Sequence, residues 1–183
     1  VIDWNPIAIA GSRSLIASMV ILIYLRHPKI HLSFAQIAAA VANAATMLLF
    51  VSANKTTTAT NAIVLQYFAP ISTVFISALL LKERARVEHI VALPLVVGGM
   101  ILMFLDELGG GRLLGNVLAF LSAITFSFYF VFMRMQKDGS PLESILLSHW
   151  LTAGICVVVS FFLPWPQVTS NALAAIGVLG IVQ

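Results

Sequence analysis

Arg13 and His149 are ionisable side chains set inside long apolar stretches, and a group of amides, hydroxyls and rings accompanies them. A guanidinium is a permanent cation with a rigid fork of donors, and an unperturbed imidazole exchanges a proton near neutral pH. At helical spacing Asn43, Thr46, Phe50 and Asn54 fall on one stripe, Ala62, Gln66, Pro70, Thr73 and Ser77 on a second, and Ser122, Thr125 and Tyr129 on a third. Stripes of this kind either pack helices together through close approach and interhelical hydrogen bonds, or offer donors and acceptors to a polar solute. Asn43, Gln66 and Tyr129 are the strongest solute candidates, because buried amides and a phenol need partners. Pro70 has no N–H, which frees a carbonyl one turn earlier, near Gln66. Tyr67, Phe68, Phe126, Phe128 and Trp150 would supply a stacking wall, or face lipid and neighbouring helices. The candidate binding set is therefore Asn43, Thr46, Phe50, Gln66, Tyr67, Pro70, Thr73, Ser122, Thr125 and Tyr129.

Gating or coupling falls to Arg13, His149 and the pair of Glu83 with Arg84 or Arg86. Each has a plainer reading: Arg13 anchors its helix or snorkels to the interface, His149 sits at a boundary, and Glu83 is a solvated surface pair. A membrane-embedded enzyme acting on lipid is the alternative from another class. It needs a nucleophile with a base, or a metal constellation, and the apolar stretches hold no His/Asp/Glu cluster; Gly11-Ser12-Arg13-Ser14 has no basic partner on its own helix. A scaffold or receptor would need a partner domain, and none is visible. The single cysteine, Cys156, can build neither an intrachain disulfide nor a metal site, so no metal and no cofactor are expected. A net charge of +3 and a pI near 9.4 come from basic residues scattered among connections, which excludes a nucleic-acid patch.

The elements that must position these residues follow from charge layout. All seven carboxylates (Asp3, Glu83, Glu88, Asp106, Glu107, Asp138, Glu143) lie in or beside short gaps between apolar runs. A charge at the bilayer centre costs about 2.5–3.5 kcal/mol even on the mildest scale, so the gaps mark membrane boundaries. Mean hydropathy of +1.02 and 9% charged residues, against about 25% in soluble domains, exclude a soluble fold. The spacing predicts spans over Pro6 to Leu25, Phe34 to Ala53, Ala59 to Leu81, His89 to Leu105, Leu113 to Met133 and Leu142 to Leu163, with another beginning near Ala172. Only helices or closed barrels satisfy their backbones in lipid, and the runs do not alternate, so an all-α polytopic bundle is expected. Arg26, Lys29, Lys82, Arg84, Arg86, Arg134 and Lys137 share one side, Lys55 and Arg112 the other; the richer side is expected to face the cytoplasm. The first span then runs inward, and a chain starting in the cytoplasm would need a helix before Val1, so a fragment incomplete at both ends is expected.

An internal repeat pairs Asn5-Pro6 with Ser140-Pro141, each followed about two turns later by Arg13 or His149, and Ser33 to Ala39 with Ser170 to Ile176. The paired spans enter from opposite faces. Two inverted repeats, 1–107 and 108–183, hinged at Gly109-Gly110-Gly111, are the arrangement of secondary transporters that bind a solute between their halves.

The run from Thr56 to Met103 is the densest signal: a Thr/Ala-rich connection, a span with central Ala69-Pro70, a closing Glu83-Arg84, and a helix with Gly98-Gly99. It resembles the drug/metabolite transporter superfamily, EamA type. Leu113 to Arg134, starting near Gly115, is similar to the first helix of that family's second repeat, and Arg13 to an arginine of its second helix. The resemblance implies helices two to eight of a ten-helix transporter carrying a small polar metabolite, such as an amino acid, across the cytoplasmic membrane by alternating access. The lipid bilayer and the solute are then its partners. The sequence departs from the family at Lys82, where glycine is usual before the glutamate, and at Pro94, inside the next helix.

Overall fold

The computed structural model describes residues 4–28, 30–83, 87–107, 112–136, 141–162 and 175–178. Its helices are α1 (Pro6–Leu25), α2 (Phe34–Thr56), α3 (Ala59–Gln66), α4 (Ala69–Leu80), α5 (Val87–Glu107), α6 (Leu113–Met135) and α7 (Pro141–Ser160). Among the described residues, five stretches are long and apolar enough to cross a membrane: α1, α2, α3 with α4, α6 and α7. α5 covers the expected fourth span, with Pro94 inside it. Of the run expected to begin near Ala172, residues 175–178 are helical and the rest lies outside the described residues.

Helix starts follow local chemistry. Asn5 accepts from the Ile7 N–H at 3.1 Å, with Pro6 in the first turn, where its missing donor leaves no gap. Ser33 accepts from the Gln36 N–H at 3.2 Å, and the Gln36 carbonyl oxygen accepts from the N–H groups of His31 and Leu32 at 3.1 and 2.9 Å. This reciprocal arrangement is a capping box shifted outward, and it fixes the turn between α1 and α2. Thr58 caps α3 in the same way through the Asn61 N–H.

The third span, expected as one helix, is two. The Tyr67 N–H reaches the carbonyls of Ile63 and Val64, and the Phe68 N–H that of Leu65, so α3 ends in a tightened turn. Pro70 then opens α4, since it cannot donate to Gln66. Splitting the span alters its faces: Ala62 is buried, Pro70 exposed and Thr73 half-buried, so the stripe drawn through Ala62, Gln66, Pro70, Thr73 and Ser77 does not face one way.

α2 is central and packs most extensively on α6, then α7; α1 packs on α7, and α3 and α4 pack on α6. Contacts Phe34–Phe132, Thr46–Thr125 and Thr57–Asn116 run in opposite order along α2 and α6, which are antiparallel. Phe68–Phe120, Ser72–Ser127 and Glu83–Arg134 keep the same order, so α4 and α6 are parallel. Arg134 and Lys82 therefore lie at one end of the bundle, Lys55 and Arg112 at the other.

Close approach relies on small residues. Ala39, Ala53, Ala62, Ala119 and Ala123 are completely buried. Packing in lipid gains nothing from apolarity alone, so small side chains that let backbones meet supply the contact. Two glycines are indispensable to it. A Cβ on Gly115 would fall 2.7 Å from the Thr56 carbonyl carbon and from Thr57, and one on Gly11 would fall 2.6 Å from the Cys156 Cβ.

Lys82 adopts φ of 54° just beyond α4, the left-handed conformation in which glycine is favoured. The chain thus makes with a lysine a turn that glycine makes without steric cost. A left-handed L-residue costs about 1–2 kcal/mol, part of which glycine returns as unfolded-state entropy. Lys82→Gly is therefore expected to stabilise the protein by up to about 1 kcal/mol, seen as a higher thermal midpoint in detergent; an unchanged or lower midpoint would show that the turn is not strained.

Candidate functional site

A ladder of polar contacts runs down the bundle, and every rung joins a residue before the Gly109–Gly111 stretch to one after it. At the end carrying Lys55, Thr57 donates to the Asn116 side-chain oxygen at 2.6 Å. Next, the hydroxyls of Thr46 and Thr125 lie 2.8 Å apart, each also within reach of a carbonyl of its own helix, Ala42 and Ser122. One hydroxyl donates to the other, and the chain ends on a helix carbonyl. Asn43 donates from its amide to the Ser148 hydroxyl at 2.8 Å, tying α2 to α7. Ser72 and Ser127 share a short hydrogen bond between α4 and α6, and Ser127 also reaches the Ala69 carbonyl at 2.8 Å. The last rung is ionic: the Arg134 guanidinium grips both oxygens of Glu83, at 2.9 and 3.0 Å.

The structure gathers six of the ten residues of the expected binding set on α2 and α6. Asn43, Thr46, Ser122 and Tyr129 are buried there and Thr125 is half-buried, with the Tyr129 ring stacked on Phe126 at 6.0 Å. Four of these polar side chains are engaged: Ser122 donates to the Ala119 carbonyl, and Asn43, Thr46 and Thr125 hold the rungs described above, while the Tyr129 hydroxyl makes no hydrogen bond among the described residues. Phe50 packs with Phe68, Val96 and Phe120 around Ala53, Ala62, Leu65 and Ala119, one cluster toward the Lys55 end. The remainder sit on α3 and α4. Gln66 is half-buried, and its side chain makes no hydrogen bond among the described residues; Thr73 is half-buried and donates to the Ala69 carbonyl. Tyr67 and Pro70 are exposed on the outer face of the described bundle.

Arg13 and His149 come together where α1 packs on α7. The contact of Gly11 with Cys156 brings the two helices close, and Arg13 lies within electrostatic reach of His149. The imidazole is buried, and its Nδ1 has no hydrogen-bond partner among the described residues. Glu83 pairs with Arg134; the partners expected from the sequence, Arg84 and Arg86, lie outside the described residues. The reason is geometric: the left-handed Lys82 takes the chain off the α4 axis, next to the end of the parallel α6.

Several polar residues escaped the sequence reading. Ser144, Ser148 and Thr152 recur every four residues along α7 and are completely buried. That spacing was readable as a third-helix partner for the α2 stripe. Ser144 donates to the Gln136 side-chain oxygen at 2.8 Å, closing the turn between α6 and α7. Glu143 is buried too, in the first turn of α7, because that helix starts at Pro141 and draws the carboxylate of the gap into the bundle, where a helix N-terminus favours it. Among the described residues no three His, Cys, Asp or Glu side chains are placed to hold a metal.

A model of the EamA-like transporter family matches residues 1–105, which include α1 to α4 and most of α5. No curated protein and no solved structure matches the chain. The matched region covers more than half of the 183 residues, and its helices are the apolar, small-residue-packed bundle described above. The chain belongs to the EamA-like transporter family and is a multi-pass membrane protein of that transporter family.

Proposed function

We propose that this protein is a secondary transporter that carries a small polar metabolite, such as an amino acid, across the cytoplasmic membrane by alternating access. The observation that carries the reading is the ladder. Its rungs all bridge 1–107 and 108–183, and four of the five are single hydrogen bonds between side chains. Interhelical hydrogen bonds in a membrane protein average about 0.6 kcal/mol, so each can open and re-form as one half moves against the other. Two inverted repeats meeting along that seam would place the solute near mid-membrane. Asn43, Thr46, Phe50, Ser122, Thr125 and Tyr129 lie along it. Gln66, whose amide holds no partner among the described residues and lies beside the carbonyl that Pro70 leaves without a donor, is the group best suited to the solute; Tyr67, Pro70 and Thr73 border it in the chain. Arg13 and His149 are the ionisable pair for coupling or gating, and the end bearing Lys82 and Arg134 faces the cytoplasm under the positive-inside rule.

The test is counterflow of labelled amino acids into proteoliposomes containing the complete protein. Gln66→Ala is expected to reduce flux at least tenfold with nearly unchanged yield and thermal midpoint, because the Gln66 side chain holds no hydrogen bond among the described residues. Asn43→Ala should lower both flux and stability, the latter by about 1 kcal/mol or less and seen as a lower midpoint, because it also removes a rung. Wild-type flux in both variants would remove the site assignment; no flux of any solute in the parent protein would remove the transport reading.

A further inference from the structure

We propose that Glu83 and Arg134, turned toward each other by Lys82, form a latch closing the basic end of the bundle, and that the structure is the state closed at that end. The inference deepens the alternating-access reading and rests on it. Three observations support it. The pair is bidentate, with contacts of 2.9 and 3.0 Å, and joins the C-terminal ends of two parallel helices, α4 and α6, from opposite sides of the glycine stretch. Motion between the two sides would have to separate it.

Both side chains remain in contact with water, 59% and 42% exposed for Arg134 and Glu83. That exposure decides what kind of device this is. A buried pair broken in mid-membrane would leave a stranded charge, whereas an exposed pair is rehydrated as it opens. Its contribution to an equilibrium is therefore no more than about fivefold, enough to bias two states without trapping one.

Behind the pair lies an unsatisfied group. Ser77 is 95% buried, and its hydroxyl has no hydrogen-bond partner among the described residues. It sits on α4 three residues before that helix ends at Leu80, about one turn from the bend that carries Glu83. A buried hydroxyl without a partner favours any state that admits water to it, so the closed end opposes an intrinsic tendency to open, and the ion pair offsets it. The left-handed backbone of Lys82, retained where the family usually has glycine, is the fixed bend that presents Glu83 to α6.

The complete protein, reconstituted with Ser77→Cys in a Cys156→Ala background, is treated with a membrane-impermeant thiol reagent from the basic side. Glu83→Gln and Arg134→Gln are each expected to speed labelling by up to about fivefold, and the exchange Glu83→Arg with Arg134→Glu to return it to the parent rate. Hydrogen exchange over 77–83, read in protein that keeps Ser77 and Cys156, should rise and return in the same order, so the result does not depend on the cysteine variant folding. Parent rates in both single variants, or an exchanged pair as open as either single, would overturn the latch. Labelling requires no solute: insensitive labelling with intact flux defeats the latch alone, and latch-dependent labelling without flux of any solute defeats the transport reading alone.

Discussion

Gly115→Ala is expected to unfold the bundle more than an added methyl at any other described glycine, lowering stability by about 3 kcal/mol, the upper end of overpacking costs. The added carbon would fall 2.7 Å from each of three atoms, two of them in the backbone of Thr56 and Thr57. A side chain tip can rotate away; a peptide at the end of α2 cannot, least of all where the Thr57 hydroxyl is already bound to Asn116. The same substitution at Gly98 is the control, because nothing lies within 4 Å of a Cβ there. Alanine is the better helix former by about 1 kcal/mol, so Gly98→Ala should hold or raise the midpoint while Gly115→Ala lowers it. Both are read as thermal midpoints and monodisperse yield in one detergent. Equal midpoints for the two variants would mean that α2 and α6 do not approach as described.

The second large effect is expected at the α1–α7 contact. Gly11→Ala places a carbon 2.6 Å from the Cys156 Cβ, with the Cys156 Sγ at 3.4 Å, and should cost about 1–3 kcal/mol as the helices part. Cys156→Gly removes the atoms it strikes. Alone, that change should also destabilise, since it empties a buried position and puts glycine inside a helix. Combined with Gly11→Ala it should recover stability relative to Gly11→Ala alone, a favourable coupling that two independent defects would not show. Strict additivity would place the fault elsewhere. Under the transport reading, Gly11→Ala also moves Arg13 relative to His149, so flux should fall beyond the loss of folded protein, and the double variant should regain it.

Much of the scaffold was legible because the rules that write it are local. Asn5, Ser33 and Thr58 mark helix starts through bonds spanning two or three residues; the break at Pro70 has an equally local cause, one missing N–H, although the span around it was expected unbroken. Even the bend at Lys82 had a trace in the sequence, as a lysine where glycine is usual. The candidate site was less legible. Asn43, Thr46 and Thr125 were grouped by helical face, but the face cannot say whether a hydroxyl meets a solute or another helix, nor that Asn43 meets α7 while Thr46 meets α6. Ser148, 105 residues from Asn43, and Arg134, 51 from Glu83, carry no mark of their partners in the spacing around them. Glu143, one residue inside the span expected from Leu142, gave no sign of its burial, which depends on how the first turn of α7 packs into the bundle.

The sequence alone determined that the chain is helical, crosses the membrane repeatedly, and keeps its charges near the ends of its spans, because the cost of a charge or an open peptide in lipid is set by depth and by the nearest turn. Tertiary structure alone decided which faces meet: that the rungs bridge residues before and after the Gly109–Gly111 stretch, that Arg13 comes within electrostatic reach of His149, and that Arg134 holds Glu83. Those pairings depend on how closely backbones approach at Gly11 and Gly115, and steric fit between distant segments is a property of the assembled bundle.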